Sequence, residues 1–288
     1  MKFSKRKQSP FEEFFKELKK YEGRISKTAG NELKTLYRKI FKKVLLSKFK
    51  FWSRSATSKL TKAYRSFIKN GYKEKNHNIR GWRLNNIKPK LQKELKKRIN
   101  LSVGLISSNS KALESEMDRR FLGFISGENK NAREVLAPVE NLNRKNKQVQ
   151  MTITDQTRKM VGSFNRIIAE DFKAIAFIWN GREDSREAGN PTGLYPDADD
   201  NSTVHGDHWS RNNKLYFFKD TWVIKNGFIN KKSKDFRWAE FKDGLPSEPI
   251  NCRCWQYNLY DLEDIYEKYK SLVSEKGLEY LAKKGYKL

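Results

Sequence analysis

Two histidines and both cysteines of the chain stand in close pairs that could bind a metal ion. His205 and His208 lie three residues apart, and Cys252 and Cys254 are separated by a single residue. On a β-strand, side-chain alternation puts both cysteines on one face and Arg253 on the other. Two imidazoles and two thiolates would complete a tetrahedral zinc site, although C-x-C is tighter than the usual zinc-finger spacing. The competing interpretation is a pair of small buried cysteines beside surface histidines.

The same stretch contains the residue types of a hydrolytic nuclease. A histidine would act as general base, an arginine would clamp an anion, and a carboxylate would orient the base. The candidates are His205 or His208, Arg186 or Arg211, and Glu183 or Asp207. No Ser or Cys nucleophile motif and no Gly-rich phosphate loop accompanies them. A nearby cluster of acids lacks the glycine and the terminal glutamate of a calcium-binding EF-hand loop. We expect these acids to face solvent in an exposed loop; they are Asp197, Asp199 and Asp200.

These residues lie in the last half of the chain, where helical periodicity gives way to loops and short strands. Apolar residues from Met151 onward predict one long helix that leads into the apolar segment 176–179. Prolines, glycines and acids predict an exposed loop over 184–203. The predicted strands are 214–219 and 252–257, and the predicted final helices start at Asp261 and Ser274. Because helices and strands are segregated, this half is predicted to be α+β.

The first half of the chain predicts helices that carry most of the positive charge. The 288 residues include 61 Lys or Arg and 34 Asp or Glu, a net charge of +27. Residues 1–100 hold 31 basic and 7 acidic residues, a net charge of +24. Apolar residues recur at helical spacing over 11–21, 31–51 and 58–69, and two further helices are predicted over 87–140 with an interruption at 107–110. The polar residues 141–150 are predicted to form a linker.

This charge excess predicts an acidic partner, because ordinary solvation needs a surface of mixed sign. Nucleic acid is the obvious polyanion, since lysines release counterions from phosphates and the interleaved aromatic rings offer faces for bases or sugars. The aromatic residues equally fit the buried face of a helical bundle. The predicted DNA-contacting residues are Lys2, Lys5, Arg6, Lys7, Lys34, Arg38, Lys42 and Lys43.

Composition argues against several other classes. The mean hydropathy is −0.87, and no apolar run is long enough to cross a bilayer, so neither a membrane span nor a standard export signal is expected. Membrane-surface binding is disfavoured because acids as well as bases interrupt the apolar faces. A bridge between cysteines one residue apart would strain the backbone, which predicts a reducing compartment.

An ordered series of motifs runs from residue 179 to residue 255. It begins with W-x₄-D-x-R, formed by Trp179, Asp184 and Arg186, and continues with GNPTGLYP, HGDHWSRNNKLYFFKDTW and DGLPSEPINCRCW. The series resembles the carboxy-terminal domain of phage Mu F-like minor head proteins, also called phage head morphogenesis proteins. That family typically shows, in this order, Asp-x-Arg, a His, a Gly-containing turn, a Pro-rich segment and a final Asn-Cys-Arg-Cys. This chain differs from many members in its longer loop between Arg186 and His205 and in its second histidine. The resemblance does not cover the basic first third of the chain.

The resemblance implies a non-enzymatic virion component that acts in head morphogenesis. Such a protein is present in few copies, binds the portal protein at the portal vertex inside the capsid, and occurs in the host cytoplasm during assembly. The basic region would contact packaged double-stranded DNA, and no membrane contact is expected. The predicted domains are a basic helical arm at 1–110, a helical spacer and linker at 111–150, and a small α+β Mu F-like domain at 151–288. The alternative is a nuclease- or toxin-type effector enzyme delivered with the genome, because Mu F-like domains also occur joined to such modules.

Within the Mu F-like domain, we expect the motif residues to have structural roles. Asp184 with Arg186 would anchor the long loop through charge-assisted hydrogen bonds, and Asn251 would turn the chain into the strand of the cysteines. Four large rings are expected in the core, where they would tie short strands together: Trp179, Trp222, Trp238 and Trp255.

Overall fold

The computed structural model describes residues 16, 18–20, 27–70, 72–73, 78–79, 81–126, 128, 134–135, 137, 142–204 and 206–287. The chain divides into two compact units. The first unit comprises Met1–Lys59 and Ile99–Thr154, and the second comprises Leu60–Arg98 and Asp155–Leu288. Five of the predicted site residues lie outside the described residues: Lys2, Lys5, Arg6, Lys7 and His205.

Helix α1, Lys27–Asn70, runs without a break through two segments that the sequence predicts as separate helices. The predicted break is wrong because Trp52, Ala56 and Leu60 are all buried at a spacing of four residues, so the buried stripe crosses it. No proline or glycine between residues 31 and 69 ends the helix earlier. The helix ends at Asn70, one residue beyond the predicted helical segment 58–69.

Helix α2, Gly81–Ile125, is also continuous, so the interruption predicted at 107–110 is wrong. Ile106 and Leu113 are buried one heptad apart on either side of that segment, and their packing overrides the weaker helix propensity of Ser and Asn. A two-stranded antiparallel hairpin joins α1 to α2 and consists of β1, Tyr72–Lys73, and β2, Asn78–Ile79.

Helix α3, Leu142–Asp171, includes the segment 141–150 that the sequence predicts as a linker, apart from its first residue. That prediction is wrong because Val149 and Ile153 are buried and extend the apolar stripe towards the start of the helix. A polar residue of the segment also has a tertiary partner, since Asn146 Oδ1 accepts a hydrogen bond of 3.1 Å from Trp52 Nε1 within the first unit. Polarity there reflects an exposed helix face and this hydrogen bond.

The second unit contains a three-stranded antiparallel sheet of β3, Ala176–Asn180, β4, Leu215–Phe217, and β5, Trp255–Leu259. The strand order is β4-β3-β5. The central strand β3 is buried over its first four residues, in keeping with its continuous apolar sequence. Strand β5 begins three residues later than predicted, so both cysteines lie in the turn that precedes it. Together with the helices, this sheet confirms the α+β class.

Short helices complete the second unit. They are α4, His208–Arg211, α5, Trp222–Lys225, α6, Leu262–Lys268, a 3₁₀ turn, Lys270–Leu272, and α7, Glu275–Lys283. The last two α-helices begin one residue after the predicted starts, with Asp261 and Ser274 as their N-cap residues. Ser274 Oγ caps α7 by accepting a 3.1 Å hydrogen bond from the Gly277 N–H. Among the described helices, none combines the length and apolar character needed to cross a membrane.

The four tryptophans differ in burial. Trp179 is fully buried on β3, and Trp222 and Trp238 pack at the margin of the core. Trp255 is 48% exposed, so its predicted core position is wrong. It is the first residue of β5, where alternation buries the following Gln256 instead.

Candidate functional site

Three of the four predicted zinc ligands converge in the second unit. His208 Nδ1 lies 3.5 Å from Cys254 Sγ and 3.7 Å from Cys252 Sγ, and all three side chains are buried. No two of these donor atoms are more than 4.8 Å apart. Both cysteines are free and buried, as the competing interpretation expects, but His208 is buried against them and does not lie at the surface. We call these three residues the His-Cys-Cys cluster.

The turn before β5 directs both cysteine side chains towards His208. Asn251 has a φ of 59°, in the left-handed region that Asn tolerates better than most residues, and turns the chain there. Its N–H donates a 2.8 Å hydrogen bond to Asp155 Oδ1. Ser247 Oγ donates a 2.7 Å hydrogen bond to the Cys254 carbonyl. The turn is thus fixed from two sides, independently of a strand.

Asp243 holds the other side of the His208 ring. His208 Nε2 and Asp243 Oδ2 are 2.8 Å apart, and the same oxygen accepts a 2.8 Å hydrogen bond from the Gly206 N–H. When Nε2 carries the proton that Asp243 accepts, the neutral ring presents a lone pair on Nδ1. Asp207 caps α4 by accepting a 2.8 Å hydrogen bond from Ser210 N–H, which fixes the start of the helix that bears His208.

Arg211 joins this network as a buried cation. Its Nη1 donates a 2.9 Å hydrogen bond to Asp243 Oδ1, and its Nε and Nη2 donate to Asp200 Oδ1 at 2.9 and 2.6 Å. The guanidinium lies 5.0 Å from the Trp179 ring centroid and 4.5 Å from that of Phe241. Two carboxylates and two aromatic faces therefore compensate the burial of its charge.

Asp184 pairs more closely with Arg253 than with its predicted partner. Asp184 Oδ1 accepts a short hydrogen bond from Arg253 Nη2, whereas Asp184 Oδ2 lies 3.8 Å from Arg186 Nη2. The Arg186 backbone N–H also donates to Asp184 Oδ1 at 3.0 Å. The pair ties the loop after β3 to the residue between the two cysteines.

Glu187 is a member of the site that sequence reasoning missed. Its buried carboxylate accepts hydrogen bonds from the backbone N–H groups of Arg182 at 3.1 Å and Glu183 at 2.6 Å. Its Oε1 lies 3.8 Å from Cys254 Sγ. No sequence signal separates this glutamate from the other acids of its loop. The structure alone places it beside the cluster.

Burial and hydrogen bonding shift the pKa values of the cluster. Burial alone would lower the pKa of His208, but hydrogen bonds with Asp243 and Cys252 raise it to about 9. The hydrogen bond with the Cys254 thiol lowers the pKa of Cys252, and the same bond together with burial raises the pKa of Cys254. Burial would raise the pKa of Asp243, yet its three hydrogen-bonded partners hold that pKa well below its usual range. With no metal bound, these shifts favour a protonated His208 ring beside a deprotonated Cys252.

The other residues of the predicted nuclease set have separate partners. Glu183 Oε1 accepts a 2.6 Å hydrogen bond from Asn212 Nδ2, and Arg186 is exposed. Arg211 and His208 share Asp243 as a hydrogen-bond partner. Of the predicted DNA-contacting residues, four lie on α1, and Lys43 among them is exposed; they are Lys34, Arg38, Lys42 and Lys43.

A cavity of about 80 Å³ lies beside the His-Cys-Cys cluster. Glu187, Arg186 and Arg253 line it together with the three cluster residues. Comparison with known proteins finds no matching family model, no matching curated protein and no matching solved structure.

Proposed function

We propose that the chain is a minor head protein of a phage, a non-enzymatic virion component that acts in head morphogenesis. One observation carries the proposal: the separated motifs that resemble the Mu F-like pattern meet in a single network inside the second unit. Asp184 from the first motif binds Arg253 from the last, and His208 from the middle motif lies against both cysteines.

Such mutual contact supports a structural use of the motifs. The motif residues form hydrogen bonds with one another. Asp243, for example, binds the His208 ring, the Arg211 guanidinium and the Gly206 backbone N–H. Interlocked buried polar groups specify one arrangement of the loops around a small sheet. A domain whose motif residues build its own scaffold suits docking on a partner, and we propose the portal protein at the inner portal vertex.

The charge distribution supports a second contact of the same protein. Residues 1–100 have a net charge of +24, and α1 alone carries thirteen basic residues and one acidic residue. A polyanion gains affinity for such a helix through counterion release. Packaged double-stranded DNA is the polyanion that lies inside a phage head, so we propose that the basic region contacts it.

The test is quantitative mass spectrometry of purified particles and of empty precursor heads from the phage that encodes the chain. We expect a few copies per particle in both, at a fixed ratio to the portal protein. Presence before packaging would show recruitment with the portal. Absence from both would contradict the proposal and favour the nuclease- or toxin-type effector used elsewhere.

A further inference from the structure

The two nitrogen–sulfur distances of the His-Cys-Cys cluster are those of a tetrahedral metal site. Zinc lies about 2.0 to 2.1 Å from histidine nitrogen and about 2.3 Å from cysteine sulfur, so tetrahedral geometry places N and S about 3.5 Å apart. His208 Nδ1 lies 3.5 and 3.7 Å from the Sγ atoms of Cys254 and Cys252. We propose that these three atoms bind one zinc ion, with water as the fourth ligand.

The partners around His208 match those of a metal-bound histidine. Ligating histidines usually donate their second ring N–H to a carboxylate, which fixes the ring and increases the basicity of the ligating nitrogen. Asp243 accepts at 2.8 Å from Nε2, and Arg211 and the Gly206 N–H in turn hold Asp243. The ring is therefore oriented with Nδ1 towards the sulfurs by contacts that involve neither cysteine.

The identity of the donors selects the metal. Two thiolates and one imidazole suit zinc, whereas calcium and magnesium require oxygen ligands. Two thiolates would also balance the double charge of the ion inside a buried site. Zinc binding would release to solvent every proton held on the three ligand atoms, because each metal ligand must be deprotonated.

The three cluster residues line the 80 Å³ cavity, which has room for a water molecule as the fourth ligand. Glu187 lines this cavity, and its Oε1 lies 3.8 Å from Cys254 Sγ. The carboxylate can accept a hydrogen bond from a zinc-bound water there. The site would thus join α4 to the turn before β5 across 44 to 46 residues of chain.

The test is metal analysis of the untagged full-length chain by inductively coupled plasma mass spectrometry. We expect about one zinc ion per chain after purification and dialysis. Cys252→Ser, Cys254→Ser and His208→Asn should each abolish zinc binding. His205→Ala is the matched control, because a site of three protein donors and water keeps its zinc without that residue. Zinc loss in His205→Ala would overturn the water-completed site.

A second measurement uses the wild-type chain and therefore tests the proposal even if the variants fail to fold. Wild-type chain is stripped with a chelator and titrated with Co²⁺, which reports thiolate bonds through near-ultraviolet charge-transfer absorption. We expect that absorption to saturate at about one Co²⁺ per chain and to disappear on addition of Zn²⁺. Chelation should also lower the melting temperature, and added zinc should restore it. Well under one zinc per chain together with no charge-transfer absorption would overturn the proposal.

Discussion

The pair of Asp184 and Arg253 gives the second unit a pH-dependent contact. The hydrogen bond from Arg253 lowers the pKa of Asp184 from 3.8 to about 2. A carboxylate whose pKa is lower in the folded state adds stability that is complete above the unfolded pKa and lost as pH falls through the folded one. With 37% of the Asp184 side chain exposed, solvent screening limits this contribution to about 1 kcal/mol or less.

Asp184→Asn should therefore lower the free energy of unfolding near about pH 6 and lose most of that effect only near about pH 2, where the pH reaches the folded pKa. Urea denaturation of both proteins at the two pH values measures the difference. Asp197→Asn is the control, because it removes the same charge from an exposed acid of the same loop. A wild-type advantage that stayed constant down to the acidic value would contradict the assigned ion pair.

Gly206 lies where a side chain would overlap with the buried guanidinium of Arg211. A Cβ at this position meets Arg211 Nη2 and Cζ, and the guanidinium cannot retreat because Asp200 and Asp243 hold it. Gly206→Ala should cost about 1 to 3 kcal/mol of unfolding free energy, the usual range for an overpacked buried site. Thermal and urea unfolding measure it.

Gly104→Ala serves as the opposite control, because Gly104 lies inside α2 with open space around its missing side chain. Alanine there should stabilise the helix by about 0.5 to 1 kcal/mol. A Gly206→Ala protein as stable as wild type would mean that Arg211 moves easily, and its anchoring role would be wrong.

The ligand types of the site were predictable, and their surroundings were not. Cysteines one residue apart and a nearby histidine signal metal binding through identity and spacing alone. Asp243 lies 35 residues from His208 and Glu187 lies 67 residues from Cys254, and no local pattern encodes either contact. The sequence identified Arg253 as a motif residue, but its pairing with Asp184 depends on the position of the loop after β3 in the folded unit. Such pairings follow from tertiary packing.

At the scale of elements, the sequence predicts helix and strand types better than boundaries. Both strands that flank β3 and both final helices were located, because apolar runs and caps mark them locally. The breaks predicted within α1 and α2 and the linker before residue 151 were not found. Each of these three predictions was based on a polar stretch of sequence. In each case the buried residues around the stretch keep helical spacing, and a local count of polar residues does not detect that spacing.

The start of α3 offers a direct test of helix against linker. Lys147 is exposed and lies six residues into α3. Lys147→Pro removes a backbone donor and clashes with the preceding turn, which should cost about 3 kcal/mol in a helix. Circular dichroism during urea unfolding measures the loss, and Lys147→Ala is the matched control, expected to match or exceed wild-type stability. A proline variant with unchanged stability would contradict the helix and support the predicted linker at 141–150.

At the scale of the whole chain, charge and chemistry are segregated along the sequence. The first hundred residues carry a net charge of +24 out of +27, whereas the His-Cys-Cys cluster and its partners Glu187 and Asp243 all lie between residues 187 and 254. The two features can therefore change independently. A variant that alters the zinc site should leave polyanion binding in place, and neutralisation of α1 should leave the zinc content unchanged.

DNA binding by the basic region should have a salt dependence that mutation can reduce. Neutralising four α1 residues in one variant should weaken binding to duplex DNA; they are Lys34, Arg38, Lys42 and Lys43. For each phosphate that the variant no longer neutralises, the slope of log K against log salt should fall by about 0.9, as fluorescence anisotropy across a salt series would measure. The control removes the same charge from exposed lysines of the second unit, namely Lys232, Lys234, Lys276 and Lys283. Equal slopes for the two variants would mean that net charge governs the affinity, and α1 would lose its assignment as the DNA-contacting element.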